Sequence, residues 1–156
     1  MDQQTEQAVW RRVKGPGPVN AAEALLPERL EALILEEQAQ AAALRALARR
    51  LRGQGSGAVS RIAAGAEARA RELSTLQYLL TGRRLRLKTP PPPPAGPLPE
   101  TLRELSLRLR QTARAYESLQ GEFADYAGDF ARFAAETRSH TRALTQVLQS
   151  RLRTGD

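Results

Sequence analysis

The apolar positions of this chain recur every three or four residues, and the pattern is laid down twice. Leu30, Leu33, Leu44, Leu47 and Leu51 return, at one constant spacing, as Leu102, Leu105, Tyr116, Leu119 and Phe123. Ile62, Ala63, Ala64, Leu73 and Leu76 return in the same way as Phe133, Ala134, Ala135, Leu144 and Val147. A three-and-four alternation marks one face of a helix. It predicts four helices, over 27–52, 58–81, 99–123 and 129–152, arranged as two repeated pairs.

The boundaries have their own chemistry. Pro27 suits a first helical turn, and Gly53-Gln54-Gly55-Ser56-Gly57 is too short for anything but an antiparallel return. Gly82 suits the residue just past a helix end, and Asp129 can cap the last helix. The spacing fits near-parallel packing at about 20°. A shorter helix is predicted over 3–13, with Trp10 expected to pack on the bundle, before Gly15-Pro16-Gly17-Pro18 breaks it. The chain thus divides into an N-terminal helix and linker, 1–26, and a four-helix unit, 27–153.

Residues 83–99 hold a basic stretch, then Pro90 to Pro94 and Pro97-Leu98-Pro99. Composition alone suggests a linker or a ligand for proline-binding modules. Length suggests a crossover. A helix of about 23 residues is roughly 35 Å long, and about 12 residues of polyproline II cover roughly 37 Å. The stretch therefore reaches from one end of a bundle to the other and would make the second and third bundle helices parallel. Leu85 and Leu87 alternate with Arg84, Arg86 and Lys88, so one side can lie on the bundle.

With 156 residues the chain suffices for one domain with a real core. Its richness in Ala, Leu, Arg and Glu favours helix. The absence of Cys removes disulfides, thiolate metal sites and a Cys nucleophile. The polar start Met1-Asp2-Gln3-Gln4 is no secretory signal, and no apolar run approaches the roughly 18 residues of a membrane span. A cytoplasmic location is expected, with no membrane partner. The net charge of +7 raises nucleic acid as a partner. Along the chain, however, Asp and Glu are interspersed with the arginines and few aromatics are present to stack on bases. The preferred reading is a solvated basic surface; a basic nucleic-acid-associated bundle is kept as an alternative, and a homodimer is open to such a bundle.

In the middle of the apolar stripes stand Glu37, Arg69 and His140, with Ala66, Leu109 and Thr137 at the related slots. Leu33 to Leu51 around Glu36-Glu37-Gln38-Ala39-Gln40, Ile62-Ala63-Ala64 through Tyr78-Leu79-Leu80-Thr81-Gly82, and Phe133-Ala134-Ala135-Glu136 through His140 together resemble the rubrerythrin-like branch of the ferritin-like superfamily. Glu6-Gln7-Ala8-Val9-Trp10 resembles the start of small bacterial members. The resemblance covers most of the chain and implies an all-α, ferritin-like up-down four-helix bundle with a long Pro-rich crossover between its second and third helices.

That family holds two irons with a Glu from each of two helices and a Glu-x-x-His from each of the other two. Carboxylates suit hard iron and can bridge two metals, and His supplies a neutral nitrogen. Carried over by position, the ligands fall on Glu37, on Ala66 and Arg69, on Leu109, and on Thr137 and His140. Only Glu37 and His140 can ligate, so Ala66, Arg69, Leu109 and Thr137 are lost ligand positions. Glu67 and Glu136 stand one residue away, and such a step turns a side chain by about 100°.

Arg69 carries a permanent charge and cannot bind a metal. It is expected to replace the metal as the positive partner of Glu37, within a polar network of Glu37, Arg69, His140 and Thr137. The expected function is a degenerate rubrerythrin-like bundle without a catalytic centre or cofactor, acting as a structural or interaction module. The rival is a metal-binding oxidoreductase with an atypical centre, iron or another divalent ion, around Glu37 and His140.

Overall fold

The computed structural model describes residues 2–14, 24–53, 55–86, 88, 91–92, 94 and 96–154. Among them are five α-helices and no strand: α1 (Gln3–Lys14), α2 (Leu26–Arg50), α3 (Ser56–Thr81), α4 (Leu98–Glu122) and α5 (Ala127–Thr154). Among the described residues, no helix is long and apolar enough to cross a membrane. Leu87 and Gly15-Pro16-Gly17-Pro18 lie outside the described residues.

The helix boundaries follow from backbone chemistry. Pro27 stands in the first turn of α2, where a missing N–H costs nothing. The helix ends at Arg50, earlier than the pattern predicts. Leu51 turns extended and stays buried as a plug under the hairpin. Gly55 then opens α3 at φ 96°, a left-handed conformation that glycine adopts without strain. Gly82 closes it at φ 71°, its N–H reaching Tyr78 O at 2.7 Å. Asp129 does not cap a helix. A 3-10 turn at Ala124–Tyr126 runs directly into α5, so Asp129 lies inside its first turn, where its carboxylate accepts the Asp2 N–H at 3.0 Å.

The helices form two hairpins. In the first, Arg45 of α2 binds Glu67 of α3; in the second, Arg138 of α5 binds Glu117 of α4. Between hairpins, α2 lies antiparallel to α4, since Arg29 meets Glu122 while Gln40 meets Thr112. Likewise α3 is antiparallel to α5, with Glu72 on Arg132 and Gly55 close to Val147. It follows that α3 and α4 point the same way. The segment between them leaves α3 at Gly82. It re-enters near the opposite end, where Arg50 Nη2 donates to Gly96 O at 2.7 Å. Leu85 is exposed along the way and borders a groove between α2 and α3.

The sequence repeat is a pseudo-twofold axis in space. Residues that are each other's repeat equivalents touch: Gln40 with Thr112, Glu36 with Arg108, and Arg69 with His140. The surface pair Arg45–Glu67 has Glu117–Arg138 as its equivalent, with the charges exchanged.

Almost every predicted stripe position is buried, in two apolar clusters. One, around Leu30, Leu73, Tyr116, Phe130 and Phe133, is closed by α1; the other is centred on Leu44, Ile62, Leu102 and Leu144. In α1, Thr5, Ala8 and Val9 face the bundle, and Trp10 does not: it is 61% exposed. It follows Val9 by one residue, and that step of about 100° carries the indole off the packed face.

Candidate functional site

Between the two apolar clusters lies a polar layer. Glu37 from α2 and Arg69 from α3 are fully buried side chains and face each other within the first hairpin. Arg69 Nε donates to Glu37 Oε2, and Arg69 Nη2 lies 3.4 Å from Glu37 Oε1, so the guanidinium fork spans both carboxylate oxygens. The third nitrogen, Nη1, faces α5, 3.3 Å from His140 Nδ1 and 3.6 Å from Glu136 Oε2. Arg69 thus lies between Glu37 and His140, and these two share no ion without displacing it.

His140 is half-buried, and its ring lies across the backbone of α3 at Gly65. A Cβ on Gly65 would fall 2.3 Å from His140 Cε1. Glycine inside a helix costs about 1 kcal/mol relative to alanine; here it makes the space the imidazole occupies. Tyr116 covers the pair from α4, its buried hydroxyl set beside Glu37 and Arg69. On the α2–α4 side, Gln40 Nε2 donates to Thr112 Oγ1 at 2.7 Å and to Glu36 Oε1 at 2.9 Å, and Arg108 Nε donates to the same Glu36 oxygen.

Burial dominates the electrostatics. It pushes the Glu37 carboxyl above its ordinary 4.5, although Arg69 pulls the other way. It lowers His140 from 6.5, with the charge of Arg69 adding to the shift and Glu136 opposing it. It raises Tyr116 well above 10.0, helped by the charge of Glu37. The neighbour of Arg69 is therefore a neutral imidazole, whose Nδ1 accepts from the guanidinium.

Thr137 does not join this network. Its hydroxyl donates to Phe133 O of its own helix at 2.7 Å, the usual recourse of a buried threonine in a helix. Ala66 and Leu109 are buried and apolar. Glu67 turns to the surface and binds Arg45. Glu136 reaches the layer only from the rim, where it meets the guanidinium. Among the described residues, no three of His, Cys, Asp and Glu are grouped to hold a metal ion. The residues present do not fit the di-iron centre that the resemblance implies, because a cation occupies one ligand slot and apolar groups two others. Nor do Glu37 and His140 fit a shared mononuclear centre.

Tyr116, Gln40, Thr112, Glu36 and Gly65 belong to the layer although their residue types did not single them out. The repeat carried a signal for two of the contacts, since Gln40–Thr112 and Glu36–Arg108 join equivalent positions. Gly65 was visible as a glycine in the interior of an alanine-rich helix, a position that usually has a packing reason. Comparison with protein-family models, curated proteins and solved structures finds no match for the chain.

Proposed function

We propose that this chain is a degenerate rubrerythrin-like bundle in which a buried salt bridge replaces the metal, and that it serves as a structural or interaction module. The observation that carries the reading is the placement of Arg69. Its guanidinium stands at a family ligand position and is held by Glu37, another such position, with His140, a third, on its far side. A ferritin-like arrangement with a Pro-rich crossover is supported by the parallel course of α3 and α4 and by the Arg50–Gly96 contact at the far end of the bundle. Charge neutralisation is the physical logic. A carboxylate left alone in an apolar core is expensive, and a guanidinium answers it with directed hydrogen bonds.

Expression in iron-supplemented medium, followed by elemental analysis, tests the reading. The expected result is no stoichiometric iron; two tightly held irons per chain would overturn it. A restoring variant tests the alignment itself. Ala66→Glu, Arg69→His, Leu109→Glu and Thr137→Glu together complete the family's ligand set around Glu37 and His140. That variant should bind two divalent ions that the parent does not. A folded variant binding none would show that at least one helix is assigned in the wrong register.

A further inference from the structure

Along the chain, acidic and basic residues alternate; in the fold the carboxylates are unevenly spread, and three helix segments at one end carry none. From the polar layer outward, the last part of α2 (41–50), the first part of α3 (56–66) and the last part of α5 (137–154) contain no Asp or Glu. The same stretches, with the loop and α4 beside them, carry Arg49, Arg52, Arg61, Arg103, Arg110, Arg142 and Arg153, against two exposed carboxylates in the first turns of α4, Glu100 and Glu104. Toward the α1 end, arginines and carboxylates meet: Arg29 with Glu122, and Arg132 with Glu72, Asp129 and Glu136. At the other end, Arg52, Arg61, Arg110 and Arg142 are exposed and enter no ion pair among the described residues. Favourable placement at helix C-termini accounts for Arg49 and Arg153. It does not account for Arg61, near the start of α3, or for Arg110 and Arg142 inside their helices.

We infer that this end of the bundle is a docking surface for duplex DNA, with the outer face of α5 directed at the major groove. The outer stripe of that helix reads Ser139, Arg142, Gln146, Gln149, Arg153, every residue exposed, with hydrogen-bonding side chains and no acid. Arg and Gln are the side chains that pair with guanine and adenine edges in that groove. Two surface grooves flank the helix and meet at Gln146. One contains Arg110, Arg138 and Arg142; the other contains Arg52 and Arg61. A helix with its side chains is about 10–12 Å across, and the B-DNA major groove is about 12 Å wide. A helix lying in that groove brings the flanking arginines to the phosphate rows on either side, where the guanidinium fork matches phosphate oxygens.

Other anionic partners fit less well. The large exposed aromatics, Trp10 and Tyr78, lie toward the α1 end, so the arginine end offers none on which single-stranded bases would stack. Double-stranded RNA has a major groove too narrow for side chains to read. The exposed leucines of this end, Leu107 and Leu152, stand singly and make no apolar face for a membrane. The inference goes beyond the middle-layer reading and does not depend on it. The arginines keep their places whatever fills the centre, so metal analysis and DNA titration fail separately.

The test is fluorescence anisotropy of the full chain with a labelled mixed-sequence DNA duplex, repeated between about 50 and 200 mM salt. Arg61→Gln/Arg110→Gln/Arg142→Gln is compared with Arg83→Gln/Arg84→Gln/Arg86→Gln, an equal charge change at exposed positions of the other end. The first variant should flatten the slope of log affinity against log salt by about 2.7, at about 0.9 per phosphate contact. The second should leave the slope near that of the parent. Arg142→Glu alone, at an exposed position, should weaken binding if the triple variant fails to fold. The inference is overturned by no salt-dependent binding at the lowest salt or by equal losses in both triple variants. It is equally overturned by tighter binding to single-stranded DNA, duplex RNA or phosphatidylserine vesicles than to duplex DNA.

Discussion

The two hairpins are built to one plan and differ where the plan meets the centre of the molecule. Both bury large apolar residues at equivalent positions, with Leu44, Leu51 and Ile62 of the first matched by Tyr116, Phe123 and Phe133 of the second, and both carry a surface ion pair at the same place, Arg45–Glu67 in one and Glu117–Arg138 in the other. In the middle layer they part. The first hairpin supplies Glu37, Ala66 and Arg69; the second supplies Leu109, Thr137 and His140 at the equivalent positions. Both full charges of the buried pair thus come from one half, and the other contributes a neutral ring and apolar cover. Even Gly65 and Glu136, equivalent to each other, divide the labour: one clears space for His140, the other brings a carboxylate to Arg69 from the rim. The surface tolerates an exchange of charge because water screens it. The centre does not, so one asymmetric solution occupies it.

The largest effect expected is at the centre of the first hairpin. Glu37→Leu leaves Arg69 buried without its main partner and should cost about 3–5 kcal/mol of stability, the usual loss on breaking a buried pair. Denaturant unfolding measures it, and a loss near zero would mean that the pair is dispensable. Gly65→Ala should come next. Its Cβ meets the His140 ring, so overpacking of about 1–3 kcal/mol is expected in place of the gain alanine gives inside helices. A stabilised variant would show that the ring moves aside freely.

A smaller effect should appear with pH. Burial and Arg69 hold the pKa of His140 below 6.5, so the unfolded chain takes up this proton first. Its contribution is complete above 6.5 and is lost as pH falls from 6.5 through the folded value. Glu37 works in the opposite sense, since a raised carboxyl favours the fold below 4.5 and loses that contribution as pH rises. His140→Gln removes only the first dependence. Unfolding midpoints of parent and variant should diverge as pH drops below 6.5; parallel curves would contradict the assignment. The smallest effect belongs to the two surface pairs. Glu67→Ala and Glu117→Ala should each leave the thermal midpoint nearly unchanged, because exposed pairs are screened and loosely held. A large loss in one hairpin alone would mean that their surface equivalence is superficial.

The helices, the repeat and the buried stripes were legible in the sequence because periodicity and glycine–proline punctuation report local geometry. The convergence of Glu37, Arg69 and His140 was legible for the same reason, as all three lie on stripes. Thr137 was misplaced because a stripe position fixes burial and not the hydrogen-bond partner, and a threonine inside a helix has its own carbonyl within reach. Trp10 was misplaced because a short helix gives too few apolar residues to settle which face is covered. Tyr116 and Gln40 were hidden for a different reason. The contacts of one lie across the bundle and those of the other across the pseudo-twofold axis, and spacing along one helix carries no information about either.

Arg69 stands as the buried counterion of Glu37. Chemical denaturation of the parent, Glu37→Leu, Arg69→Leu and the double variant tests it most directly. Each single variant should be strongly destabilised and the double variant should recover much of the loss, because two apolar groups replace a pair and leave no charge behind. Single losses that simply add in the double variant would contradict it.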